Sequence, residues 1–232
     1  MNFPLRKIRL SCYTPIMSNI PPHASFPDLS LAPVTVSVGR HLPRWEANGA
    51  VYHVALHLAD SVPQEQLAIW REERARLSAL AQAAKRPLSA DEVEALRAVY
   101  NDRVEKYLSA GCGACLLRDP RAAEALESVL AYGNGEKYAL HLFCIMPNHL
   151  HVIAGGFDEA CPLRDVLTSW KGASAHRVNR VLGRKGEVWQ GDAYTRIIRS
   201  REEYVRQLNY VWCNPEAAGI RDGFLRKRFV QW

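Results

Sequence analysis

The chain has 232 residues, 48% of them hydrophobic and 23% charged, with a formal net charge of +6. That balance supports a sizeable core in one domain with insertions and excludes a chain disordered throughout. The basic bias suits a nucleic-acid partner, because Lys and Arg neutralise phosphates, and no apolar run reaches the ~18 residues of a membrane span.

Residues 1–44 contain Pro4, Pro15, Pro21, Pro22, Pro27, Pro33 and Pro43 with Ser and Thr between them, and read as a flexible N-terminal arm. Arg6, Lys7 and Arg9 are not followed by the apolar stretch of a secretory signal. Val51-Tyr-His-Val-Ala-Leu-His-Leu58 is rich in strand formers. Two helices are expected over 64–110. The first carries Leu67, Trp70 and Leu77 and breaks at Pro87; the second is capped at Ser89-Ala-Asp-Glu and carries Val93, Leu96, Val99, Val104 and Leu108. The pair reads as a helical-hairpin insertion after the first strand.

Cys112-Gly-Ala-Cys115 is a lone pair with no second pair at zinc-site spacing, and reads as small residues near a strand. The remaining cysteines, Cys12, Cys144, Cys161 and Cys213, are scattered, which fits a reducing cytoplasm better than a disulfide framework. A helix is expected after Asp119-Pro120, through Ala123, Leu126, Val129 and Leu130. Tyr138–Met146 reads as a buried strand, Pro147-Asn148 as a turn and His149–Ala154 as the returning strand. Leu163–Leu182 is an amphipathic helix with Val166, Leu167, Trp170 and Val178 on its apolar side. Tyr194–Ile198 is a short strand, Arg201–Cys213 a helix ended by Pro215, and 226–232 a basic C-terminal tail. The order implies an α+β fold, an antiparallel sheet with helices on one face.

Three groups of residues carry chemistry. In a strand, His149 and His151 point to one face while Leu150, Val152 and Ala154 point to the other. Two such imidazoles can share a metal ion, and two unrelated surface histidines would look the same. On a wheel at about 100° per residue, Tyr204, Val205, Leu208, Val211 and Trp212 form the buried stripe of the last helix. Tyr210 lies opposite its centre, with Asn214 one turn further on. An off-core tyrosine with an amide below it can serve a metal site jointly, or can simply be solvated. The third group interleaves basic residues with a tryptophan: Lys171, Arg177, Arg180, Arg184, Lys185, Trp189, Arg196 and Arg199. Such residues can grip phosphates and stack bases, or form a solvated helix face over a core Trp.

Met146-Pro-Asn-His-Leu-His-Val152 resembles the HUH motif (His, hydrophobe, His) of small tyrosine transposases. Val188-Trp-Gln190, Tyr194-Thr-Arg-Ile-Ile-Arg199, and Tyr210-Val-Trp-Cys-Asn-Pro215 with Gly219-Ile220 resemble the REP-associated tyrosine transposases, in the same order. The early Tyr52-His-Val-Ala-Leu-His-Leu-Ala-Asp-Ser-Val-Pro63 is similar to longer members of that group. The resemblance covers about 40–225, and implies a catalytic domain over 45–225 with a ferredoxin-like palm. It further implies a divalent metal, Mg²⁺ or Mn²⁺, at His149 and His151 with Asn214 completing the site, and Tyr210 as nucleophile. The implied enzyme is a single-stranded DNA endonuclease and strand transferase. It would act on single-stranded or hairpin DNA through a 5′-phosphotyrosine, in the cytoplasm at the nucleoid, as monomer or homodimer. Two rivals predict other outcomes: a domesticated module that binds a DNA or RNA hairpin without cutting, and a metal-dependent hydrolase that uses water.

Overall fold

The computed structural model describes residues 26, 35–38, 43–69, 72, 104 and 107–230. The segments richest in aliphatic and aromatic residues pair into one sheet, as residues that fit a pleated, buried surface do. Its strands are β3 (Tyr52–His57), β4 (Ala139–Met146), β5 (His149–Gly155), β6 (Tyr194–Ile197) and β7 (Leu225–Arg228). They run antiparallel in the order β6-β3-β5-β4-β7. Strands β1 (Thr35–Val38) and β2 (Pro43–Glu46) form a separate antiparallel pair. Strand β1 and the first half of β2 lie in the segment read as a flexible arm, so that reading does not extend to them. Phe26 likewise packs its ring 5.5 Å from that of Tyr204.

Two helices start where the sequence supplies a side-chain cap. Asp119 accepts a hydrogen bond from the Arg121 amide, with Pro120 in the first turn of α1 (Pro120–Tyr132). Helix α2 spans Leu163–Val181 and packs beside α1. Ser200 caps α3 (Arg201–Trp212) by accepting from the Glu203 amide. Pro215 does more than end this helix: it sits in the first turn of a short α4 (Asn214–Ala217).

Both faces of the sheet are buried. Tyr52, Val54, Leu56, Phe143, Ile145, Leu150 and Val152 pack against α1 and α2. Leu142, Cys144, Met146 and Ile153 on the other face pack against Tyr204, Leu208 and Val211 of α3. The expectation of helices on one face is therefore corrected: α3 covers the second. The reason is legible in β4, whose apolar residues do not alternate with polar ones, so neither of its faces suits water.

Strand β7 is also a correction, because residues 225–228 are an edge strand paired with β4 rather than tail. Of the expected helical hairpin, residues 64–69, 72, 104 and 107–109 are helical, residue 110 is in a turn, and the rest lies outside the described residues. Val62, Leu67, Val104 and Leu108 form a small apolar cluster at its root. Among the described residues, no helix is long and apolar enough to cross a membrane.

Candidate active site

The register of β3 against β5 sets the site. His57 lies opposite His149 and Ala55 opposite His151, with His53 two residues before Ala55 on the same face. Four imidazoles thus share one sheet face, exposed by 4% (His53), 9% (His57), 1% (His149) and 2% (His151). Ala55 is small, so His53 and His151 meet diagonally, with His53 Nε2 3.1 Å from His151 Nδ1. The His149 and His151 ring centres stand 4.7 Å apart.

Helix α3 roofs this face. Tyr204, Leu208 and Val211 are buried on its β4 side, and Tyr210 stands on the flank nearer β3. The Tyr210 ring lies edge-on to His53 at 5.8 Å and to His151 at 5.6 Å between centres. Tyr210 therefore borders the histidines instead of facing away from the sheet. The wheel separated the two tyrosines, but it could not show that α3 covers the histidine face. Gln207 hydrogen-bonds His53, and the side chain of Asn214, itself buried, sits against His149. Arg196 Nε meets Glu203 Oε1 at 2.7 Å, and Glu203 Oε2 accepts from the Arg199 amide at 2.9 Å, which ties the start of α3 to β6. A cavity of about 150 Å³ opens against His53, His57, His151, Gln207 and Tyr210, walled also by Tyr194 and by Val104 from the inserted segment; His149 and Asn214 do not line it.

Burial keeps His53, His149 and His151 uncharged. Desolvation drives His53 and His149 well below the usual histidine range, reinforced in each case by the field of His151. Desolvation alone pushes His151 down to about 3. Neutral rings are what a cation needs as donors. His149 Nε2 and His151 Nε2 are both buried with no hydrogen-bond partner among the described residues. A buried polar atom left unpaired is costly, so two imidazoles whose ring centres stand 4.7 Å apart are suited to share a cation. Among the described residues no three His, Cys, Asp or Glu side chains are placed to hold a metal. A cation here would rest on two imidazoles and the Asn214 amide, leaving positions for water or phosphate oxygens. That donor set fits Mn²⁺ or Mg²⁺, with the nitrogen ligands favouring manganese.

The basic residues predicted to touch DNA do not converge on this site. Lys171, Arg177 and Arg180 belong to α2, on the opposite sheet face, and Arg184 and Lys185 follow it. The ammonium of Lys171 donates to the carbonyls of Gln190 (2.5 Å) and Gly191 (2.6 Å), so it holds a bend in the chain. Trp189 is no stacking platform: it is buried, and its indole N–H donates to Ser174 Oγ at 2.8 Å. Arg196 shares the histidine face but is engaged by Glu203, while Arg199 is exposed nearby. His53, His57, Asn148, Tyr194 and Gln207 were not singled out from sequence. His53 and His57 carry a readable signal, since residues 53, 55 and 57 share one face of a strand.

Comparison with protein-family models finds no match, and comparison with curated proteins finds none. Among solved structures, this chain is similar to a REP-associated tyrosine transposase bound to a REP hairpin, at 14% identity and a TM-score of 0.42. The match covers 79% of this chain and 74% of that one.

Proposed function

We propose that the protein is a single-tyrosine DNA nuclease and strand transferase acting on single-stranded or hairpin DNA. The observation that carries this reading is the placement of Tyr210 against His53 and His151, beside the two unpaired Nε2 atoms of His149 and His151. The ordered HUH and tyrosine motifs of the sequence support it.

His149, His151 and Asn214 would hold a divalent cation, which supplies charge neutralisation at a non-bridging phosphate oxygen. The residues of the chain do the rest. Tyr210 Oη attacks phosphorus; the new O–P bond forms as the bond to the 3′-oxygen breaks, and the phenolic proton ends on that departing oxygen. The products are a 5′-phosphotyrosine and a free 3′-hydroxyl. Phosphorus keeps an ester bond throughout, so a 3′-hydroxyl can reverse the step on another strand without ATP.

The test is to incubate the protein with Mn²⁺ and single-stranded or hairpin oligonucleotides, then seek a covalent adduct on denaturing gels and map it by mass spectrometry. An adduct on Tyr210 is expected. Cleavage without an adduct would indicate a water-using hydrolase, and binding without cleavage a hairpin-binding module.

A further inference from the structure

His149 is held from behind by the residue that precedes it. Asn148 Oδ1 lies 2.8 Å from His149 Nδ1. The orientation of the Asn148 amide is decided by its other end, where Nδ2 lies 3.2 Å from the carbonyl oxygens of both Leu108 and Cys112. Carbonyl oxygens only accept, so the group facing them is the NH₂, and the group facing His149 is the amide oxygen. That oxygen also only accepts. The single ring proton of neutral His149 therefore sits on Nδ1, and Nε2 is a bare lone pair. Asn148 is 1% exposed, so water does not compete for these bonds. Asn214 sits against the same ring.

Of the two carbonyls that orient Asn148, one belongs to the end of the inserted segment and the other lies just beyond it. Leu108 packs in the cluster with Val62, Leu67 and Val104. The chain then turns through Cys112 and is pinned to the loop after β3, where Asp60 Oδ2 accepts from the Ala114 amide at 2.8 Å. Gly113, at φ +89°, passes so close that an added Cβ would stand 2.7 Å from the Asp60 carbonyl oxygen. This contact needs glycine twice, for its backbone angle and for its lack of a side chain.

We infer that Asn148 is a positioning residue that locks His149 in its Nδ1–H tautomer, and that residues 107–114 are the clamp that keeps Asn148 oriented. The purpose of the lock rests on the proposed role of His149; the tautomer itself does not. On this reading the insertion serves to present Nε2 as a ready donor before any cation arrives, as outer partners of ligating histidines do.

The experiment uses ¹⁵N-histidine-labelled full-length protein, cleared of metal with a chelator, and reads nitrogen shifts through two-bond proton correlations near neutral pH. His149 is expected to show a protonated Nδ1 and an unprotonated Nε2. In Asn148→Ala the proton is expected to move partly or wholly to Nε2, with Mn²⁺ binding about tenfold to a hundredfold weaker. Gly113→Val, which forces the clamp off Asp60, is expected to give the same spectral change to a smaller degree. A wild-type His149 protonated on Nε2 overturns the inference, and that reading needs no variant to fold. An unchanged spectrum and Mn²⁺ affinity in a folded Asn148→Ala overturns it equally. If the wild-type tautomer is as stated but no DNA adduct forms, the proposed reaction fails and the lock stands.

Discussion

Tyr204 and Tyr210 share α3 but stand in different surroundings. Tyr204 is buried, its hydroxyl 2.7 Å from His141 Nδ1 at a bulge in β4, and burial raises its pKa. Tyr210 is 37% exposed and packs no core. Tyr210→Phe is expected to fold and bind DNA normally and to form no adduct on a denaturing gel. Tyr204→Phe keeps the adduct and loses about 1 kcal/mol from its hydrogen bond; Tyr204→Ala loses about 3–5 kcal/mol, read from urea midpoints. An adduct that survives Tyr210→Phe would remove Tyr210 from the reaction. His149→Ala and His151→Ala, like chelation, are expected to abolish cleavage while DNA binding persists, since phosphate contacts supply affinity. Full cleavage by either variant would dismiss the cation. The His-Leu-His spacing was legible because alternation in a strand needs no tertiary knowledge. The same alternation puts His53 and His57 on one face of their own strand, but that this face meets His149 and His151 depends on the β3–β5 register.

At the scale of elements, α3 is fastened at its N-terminal end and carries Tyr210 at its C-terminal end. The Arg196–Glu203 pair joins it to β6 with the Glu203 side chain only 8% exposed. Glu203→Gln keeps the shape and removes the charge. It is expected to cost about 2 kcal/mol, the worth of a hydrogen bond to a charged group, and to slow adduct formation more than it weakens DNA binding. Single-turnover rates beside a binding titration would check this, and equal losses in both would show that α3 placement does not limit the chemistry. The sequence held the signal for this fastening in Ser200-Arg-Glu-Glu203, a cap followed by an acid three residues on. Helix α2 was legible nearly to its ends, yet the side of the sheet it covers was not. That depends on which apolar face of β4 each helix takes, and the strand offers two of similar character.

For the molecule as a whole, buried neutral imidazoles make folding acid-sensitive. The unfolded chain binds protons on these rings below about pH 6.5. In the fold His53 and His149 resist protonation well below that, and His151 until about pH 3. The unfolded state then holds more protons, so stability is full above about pH 7 and falls as pH drops, by up to about 1.4 kcal/mol per pH unit for each ring. Urea midpoints of chelator-treated protein should decline between about pH 7 and pH 5; a flat profile would mean the rings are hydrated. The α+β class followed from the order of elements, whereas the return of the chain to the sheet at β7 did not. Arg226-Lys-Arg228 looks like a tail until Arg226 is seen stacked over the Trp212 ring at 4.2 Å and paired with Glu216. That last strand also governs how the protein behaves in a crowd. Without it β4 would become the outermost strand, apolar on both sides and open along its backbone, a template for sticking to other copies. Three cations in a row on a short rim discourage such pairing. A chain cut after Gly223 should therefore aggregate as it is concentrated, with light scattering rising where the full-length protein stays clear.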